Sequence, residues 1–327
     1  MTKKSKPESK YQAKALPALK KGDLVDLISP GSSSRLEDVE LCQNLLESWG
    51  LKVRLPKQTF SNHVFHSNED EIRLKLLKEA LQAKDSKAVW CLRGGYGSNR
   101  LVPELGKIKK PNQQKMLIGY SDITTLHLWL SQDWQWPSFH GPLLESLISG
   151  RLSQTQIEEC RQVVFGEKNE LEFKITALNE KAKKLKELKS TLIGGTLLVI
   201  ESAIGTKIHP QFAGKILLLE EVGERGYRID RMLEHLLQAG VLKSVKALVF
   251  GEFLGGDERD GKSYVRYAIQ RFAEQNHIAC FEGLETGHGN QNRMIPLGTT
   301  ASYKNGILKV ASGLQVGSNS PKKRASR

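Results

Sequence analysis

The chain has 327 residues, 39% of them hydrophobic, and 49 Lys and Arg against 36 Asp and Glu, for a formal net charge of +13 at pH 7. That length allows two domains with real cores, and the apolar share excludes wholesale disorder. The charge sits at the ends, with seven Lys against one Glu in residues 1–21 and two Lys plus two Arg in 318–327, so a basic nucleic-acid groove is not expected between them.

In chain order, residues 1–21 read as a basic flexible tail. DLVDLISPG (23–31) reads as a strand closed by a Pro-Gly turn. LEDVELCQNLLESWG (36–50) puts Leu41, Leu45 and Leu46 at helical spacing and stops at Gly50. LKVRLP (51–56) is a second strand, and EDEIRLKLLKEALQAKD (69–85) is a second helix. AVWCLRGGYG (88–97) is a third strand running into glycines. KMLIGYSD (115–122) is a fourth, followed by the helix ITTLHLWLSQ (123–132). Strands alternating with helices predict a doubly wound, mostly parallel sheet domain over 22–150. Right-handed crossovers then bring Gly31, the RGGYG turn (93–97) and Ser121 to one edge, at the strand C-termini.

Beyond HGPLLESL (140–147) the pattern loosens, and 151–190 reads as a polar linker ending in the lysine-rich EKAKKLKELK (180–189). STLIGGTLLVIESAIGT (190–206) reads as a glycine-preceded helix and KILLLEEV (215–222) as a buried strand. RIDRMLEHLLQAG (228–240) is a helix with Ile229, Leu233, Leu236 and Leu237 inward. VKALVFGEF (245–253) is a strand, SYVRYAIQRFAEQN (263–276) a helix, and IPLGTTASYKNGILKVA (295–311) a closing hairpin around Asn305-Gly306. These elements predict a smaller C-terminal α/β domain over 191–317, followed by a basic tail over 318–327.

Several function classes fall away on inspection. The N-terminus has lysines but no apolar segment of a secretory signal, and no stretch reaches the length of a membrane span, so a cytoplasmic protein is expected. Cys42, Cys91, Cys160 and Cys280 form no C-x-x-C pair, and the histidines form no H-E-x-x-H, which points to reduced, packed thiols and to no metal. GDERDGKS (256–263) has the letters of a phosphate loop, yet Asp257, Glu258 and Asp260 would repel a polyphosphate. RGGYGSNR (93–100) lacks the glycine order of a dinucleotide fingerprint. No cofactor is expected.

LIGYSDITTLHLWL (117–130) places Ser121 between a strand and a helix. A serine there either caps the helix or presents a nucleophilic hydroxyl on a strand-to-helix turn. A base for it is available in ETGHGNQN (285–292), where His288 lies between two glycines that would let a substrate approach closely. An orienting carboxylate is available in KILLLEE, where Glu220 ends an apolar run in which an unpaired charge would be expensive. Glu221 is its neighbour, and adjacent strand residues point to opposite faces, so only one of them can serve the site.

Together, RGGYGSNR, IGYSDIT, HGP, GGTL, LLLEEVGERGYRIDRML and GHG occur in the order found in the LD-carboxypeptidases of peptidase family S66, which the chain resembles from about residue 22 to 317. The resemblance implies a serine peptidase with its active site at the junction of two domains, and a triad of Ser121, Glu220 and His288. It implies as substrate the tetrapeptide stem of peptidoglycan, from which the terminal D-alanine is removed, and it makes a homodimer plausible. In this reading the backbone N–H groups of Gly95 and Asp122 hold the oxyanion, while Gly94 and Tyr96 border the substrate. The family usually reads Glu-Asp at Glu220-Glu221 and Pro-Tyr at Gly226-Tyr227; the first departure leaves Glu220 against Glu221 open.

A sister branch cleaves aminoacyl-nucleotide conjugates of the microcin type. An aromatic platform for a base would be expected in the inter-domain loop, but Trp49, Trp90, Trp129, Trp134 and Trp136 all precede that region. The cell-wall substrate is therefore favoured. Outside the enzymes, the competing reading is a binding protein for wall fragments or, through the tails, for an anionic polymer; lysines 181, 183, 184 and 186 would attract stem-peptide carboxylates if they lay at the cleft.

Overall fold

The apolar runs of the sequence fold into two sheets. The computed structural model describes residues 15–315, so residues 1–14 of the basic N-terminal tail and all of the C-terminal tail lie outside the described residues. β1 (Leu16–Pro17) pairs in parallel with the last described strand, Leu314–Gln315. β2 (Leu24–Ile28), β3 (Lys52–Arg54), β4 (Ser86–Cys91), β5 (Met116–Gly119) and β6 (Ser138–His140) form a parallel sheet in the order β6-β5-β4-β2-β3.

The second sheet draws on β7 (Glu170–Lys174), β8 (Thr176–Ala177), β9 (Glu187–Thr196), β10 (Ile216–Val222), β11 (Ala247–Leu254) and β12 (Ala279–Glu282). β13 (Ile295–Leu297) returns to the first sheet, antiparallel to β6, before β14 (Thr299–Lys304) and β15 (Ile307–Ala311) complete the second. The order is β7-β15-β14-β9-β10-β11-β12-β8, with β9 to β12 parallel and the flanking strands antiparallel. The chain is thus a two-domain α/β protein with mostly parallel central strands. The second sheet has eight strands against six in the first.

The run ILLL in β10 shows why continuous apolarity reads as a buried parallel strand. Leu217 and Leu219 enter one core and Ile216 and Leu218 the other, because successive side chains point to opposite faces. All four are about fully buried, each removing apolar area worth about 1.5–3 kcal/mol. The closing hairpin turns at Asn305 and Gly306, both with positive φ, as an Asn-Gly type I′ turn requires.

Four readings need correction. Residues 151–190 are not a linker: they hold the helix Gln154–Val164, strands β7 and β8 and the start of β9. The helix begins at a reciprocal capping box between Ser153 and Gln156, and ELEFK alternates exposed and buried along β7, two signals that the charged composition overshadows. Within 190–206, β9 continues through both glycines and the helix is only Leu197–Ser202. A Cβ on Gly194 would stand 2.0 Å from the Leu218 carbonyl oxygen, and one on Gly195 would stand 2.4 Å from Thr124 Oγ1, so glycine here permits close approach inside a strand.

The tail boundary also moves, since Leu16 and Leu19 are buried against the core. In the helix Leu36–Ser48 the buried stripe is Val39, Cys42 and Leu46 while Leu41 is exposed; in the helix Gly226–Gln238 Met232 takes the inward place given to Leu237. Leu46 in the first helix and Ile229, Leu233 and Leu236 in the second are buried as the spacing predicts.

Candidate active site

Ser121 stands one residue, Tyr120, beyond β5 and opens the turn Ser121–Ile123, which runs into the helix Thr124–Trp129. That turn has no side-chain cap, and the hydroxyl points elsewhere: Ser121 Oγ lies 3.0 Å from His288 Nε2. Its backbone stands at φ +64°, a left-handed conformation that costs a serine about 1–2 kcal/mol and is held by its surroundings. One of those surroundings is Gly94, where an added Cβ would come 3.1 Å from the Ser121 Cβ. The strained turn lifts the hydroxyl off the sheet edge.

His288 Nδ1 lies 2.7 Å from Glu220 Oε2. The tautomer with its proton on Nδ1 donates to Glu220 and leaves Nε2 to accept from the serine hydroxyl. Glu220 is completely buried near the end of β10, and its other oxygen accepts a hydrogen bond from Thr196 Oγ1 at the end of β9. Thr196 N in turn donates to Thr124 Oγ1 at 3.1 Å, which ties the end of β9 to the helix that follows the serine turn. Burial works against the charge on Glu220, but the bond and charge of His288 prevail and hold the carboxyl below its ordinary range. Burial likewise opposes the imidazolium, and Glu220 overrides it, so His288 titrates above its ordinary value. Tyr120 packs edge-on against the His288 ring with centroids 4.8 Å apart. His140 of the HGP motif is buried behind, its Nε2 4.0 Å from Glu220 Oε1, and burial pushes its pKa down to about 4 so that it is neutral at pH 7.

Glu221 faces the other way. Its two oxygens accept from Leu198 N at 2.7 Å and Val222 N at 2.9 Å, fastening the start of the helix Leu197–Ser202. Burial pushes its carboxyl up to about 7. Opposite Glu220 the β10–β11 register slips, and two residues of β11, Gly251 and Glu252, face a single residue of β10. Through this bulge Glu252 reaches the loop of His288: its N–H donates to the Thr286 carbonyl and Oε2 accepts from Gly289 N, each at 2.8 Å. The glycines beside His288 therefore do not open room for a substrate. A Cβ on Gly287 would stand 2.6 Å from the Glu252 Cβ, and one on Gly289 would stand 2.8 Å from Oε2, so the space is filled by the carboxylate that clamps the loop.

The RGGYG turn lies against the serine. Asp122 is buried and its carboxylate accepts from Gly97 N at 3.2 Å and Ser98 N at 2.8 Å, which ties this turn to the one carrying Ser121. Gly95 has φ +76° and packs on Ser32, whose Oγ accepts from Tyr96 N at 3.1 Å; the Tyr96 ring is about half exposed. Sequence reasoning missed Thr196, Thr124 and Glu252, although Thr196 lies in the quoted GGTL and Glu252 within the quoted strand VKALVFGEF.

The remaining candidates sit away from this chemistry. GDERDGKS closes on itself through an Asp257–Ser263 bridge and a Glu258 N–H to the Lys262 carbonyl at 2.7 Å, which uses the amides a phosphate would need. Lys181 bonds the His277 carbonyl and Lys183 pairs with Glu180. All four cysteines are free and buried, and among the described residues no group of three His, Cys, Asp or Glu is arranged to hold a metal ion.

A hydroxyl, an imidazole and a buried carboxylate in this relay, on the strand ends of an α/β scaffold, define the serine-hydrolase class. Residues 25–141 match the model of the LD-carboxypeptidase N-terminal domain and residues 189–303 that of the LD-carboxypeptidase C-terminal domain. The chain is 34% identical over 280 residues, 85% of its length and 86% of the relative's, to a Rickettsia conorii protein provisionally named a carboxypeptidase. It is 30% identical to the murein tetrapeptide carboxypeptidase of Pseudomonas aeruginosa, over 87% of this chain and 94% of that one. The crystal structure of muramoyltetrapeptide carboxypeptidase from Oxalobacter formigenes superposes with a TM-score of 0.75 at 27% identity, covering 88% and 98% of the two chains. The chain belongs to the LD-carboxypeptidase family and is a serine carboxypeptidase by that membership.

Proposed function

We propose that this protein is a serine LD-carboxypeptidase that removes the terminal D-alanine from peptidoglycan tetrapeptide stems during cytoplasmic cell-wall recycling, working as a homodimer. The single observation that carries the reading is the relay from Ser121 Oγ to His288 Nε2 at 3.0 Å and from His288 Nδ1 to Glu220 at 2.7 Å. In this mechanism Nε2 takes the serine proton as Oγ attacks the carbonyl of the third stem residue. The N–H groups of Asp122 and Gly95 receive the oxyanion, and Gly94 and Tyr96 border the acyl group. The imidazolium, stabilised by Glu220, gives its proton to the leaving amine, and D-alanine departs. Water, deprotonated by the same nitrogen, then clears the ester. Among the described residues no helix is long and apolar enough to cross a membrane.

The deciding experiment is mass spectrometry of a murein tetrapeptide incubated with the purified protein. Loss of one D-alanine is expected. An untouched peptide overturns the murein assignment, and an aminoacyl-nucleotide conjugate is then the substrate to try.

The relay also sets the pH dependence. Only neutral His288 can accept the serine proton, and its pKa is held above the ordinary 6.5, burial opposing and Glu220 prevailing. The ratio kcat/KM should therefore rise with pH along a limb centred above 6.5, later than an unperturbed histidine would give. A pH profile with its acid midpoint at or below that value contradicts the assignment of His288 as base.

A further inference from the structure

An enzyme that removes only the last residue of a peptide has to recognise the end of the chain. In the substrate a single N–Cα–C link separates the scissile carbonyl carbon from the terminal carboxylate, so whatever holds that carboxylate must stand beside the triad. Arg151 does. Its Nη1 donates to the His288 carbonyl at 3.1 Å and its Nε lies 3.4 Å from Ser149 Oγ. Through the bond to that carbonyl the guanidinium sits on the loop of His288, and its positive charge acts on the ring that contacts the serine. It is exposed and lines a cavity of about 660 Å³ together with Gln156 and Gln291 and with Glu158, Glu159 and Glu285, whose carboxylates are already paired with Arg161, Lys168 and Arg293.

The arginines of the RGGYGSNR turn and of the loop that follows His288 are occupied. Arg93, next to Gly94, pairs with Glu145 at 3.6 Å; Arg100 pairs with Asp70 at 2.8 Å; Arg293 is held by Glu159 at 2.5 Å and Glu285 at 2.6 Å. Arg151 has no carboxylate at ion-pair distance among the described residues, and its two bonds leave guanidinium donors unspent. A planar fork with free donors is the group best matched to a carboxylate.

We infer that Arg151 binds the free terminal carboxylate of the substrate and so determines that the site acts on chain ends. The inference rests on the peptidase reading above. It says that a substrate without that charge, or with residues beyond it, forfeits the contact even when its scissile bond is otherwise right.

The test compares the tetrapeptide with the same peptide amidated at its terminal carboxyl, on the wild-type protein, Arg151→Met and Arg151→Lys. The wild type should prefer the free acid by about 100-fold in kcat/KM, the scale of a charge-assisted pair. In Arg151→Met the preference should fall to within about threefold, through a raised KM for the acid that the amide does not share, and Arg151→Lys should restore part of it. Arg151 also holds the His288 carbonyl, but loss of that support slows both peptides alike and leaves their ratio intact. An intact ratio in Arg151→Met overturns the inference, as does a wild type that treats acid and amide equally. If thermal melting shows Arg151→Met unfolded, the ratio in Arg151→Lys decides. A wild type that releases neither D-alanine nor D-alaninamide refutes the peptidase reading itself and this inference with it, whereas release without discrimination refutes only the anchor.

Discussion

Ser121→Ala is expected to lower kcat by at least about 10³-fold while leaving KM and the fold nearly unchanged. The substitution removes one oxygen, the atom that stands 3.0 Å from His288 Nε2, and keeps the Cβ that Gly94 already accommodates. Alanine at φ +64° bears the same strain as serine, so no backbone relaxation accompanies the loss. The hydroxyl contributes nothing as a helix cap, because the turn has none, and melting should therefore move by no more than a degree or two. D-alanine release followed by mass spectrometry, beside labelling with an organophosphonate, measures both sides of the claim. A variant that still turns over at near the normal rate removes Ser121 from the mechanism. A variant that is inactive but unfolded says the serine was structural, which the absent cap argues against.

What was legible in the sequence follows from how far each signal reaches. Ser121 could be singled out because a strand-to-turn-to-helix transition is local, and β5 and the helix Thr124–Trp129 lie either side of it. Glu220 could be singled out because a carboxylate at the end of ILLL needs a partner, and the partner is His288. The interpretation of the glycines around His288 failed for a different reason. Which atoms fill the space beside a glycine depends on residues distant in sequence, here a bulge at Gly251–Glu252 that no periodicity announces. The same holds for β13, three residues that leave the C-terminal part to pair with β6, and for Arg151, whose unpaired state is visible only when its neighbours are in place. The helix Gln154–Val164 and strand β7 are misses that local reading should have caught, since the capping box is written as Ser153 and Gln156 and ELEFK alternates with a period of two.

Glu220→Gln and Glu221→Gln should separate sharply, although the two residues are adjacent and both buried. The first is expected to cost about 10³-fold in kcat. With the amide nitrogen toward His288 the ring is forced into the tautomer that cannot accept the serine proton. With the amide oxygen there, the tautomer survives, but no charge remains to stabilise the imidazolium. The acid limb of the profile should also move to lower pH, because Glu220 is what raises His288 against burial. Glu221→Gln acts elsewhere. One of its two bonds, to Leu198 N or Val222 N, is lost, and stability should drop by about 1–2 kcal/mol with turnover within about fivefold of wild type. Its own titration gives a second reading. The folded chain holds a proton on Glu221 up to about pH 7, while the unfolded chain releases it near 4.5, so this group's contribution declines as pH rises between those values. Glu221→Gln should flatten that slope in denaturation curves taken across the window, and Glu220→Gln should not. If instead Glu221→Gln proves the slower enzyme, the carboxylate that orients His288 is one residue further along β10, and the face that Glu220 shares with Thr196 serves the fold rather than the reaction.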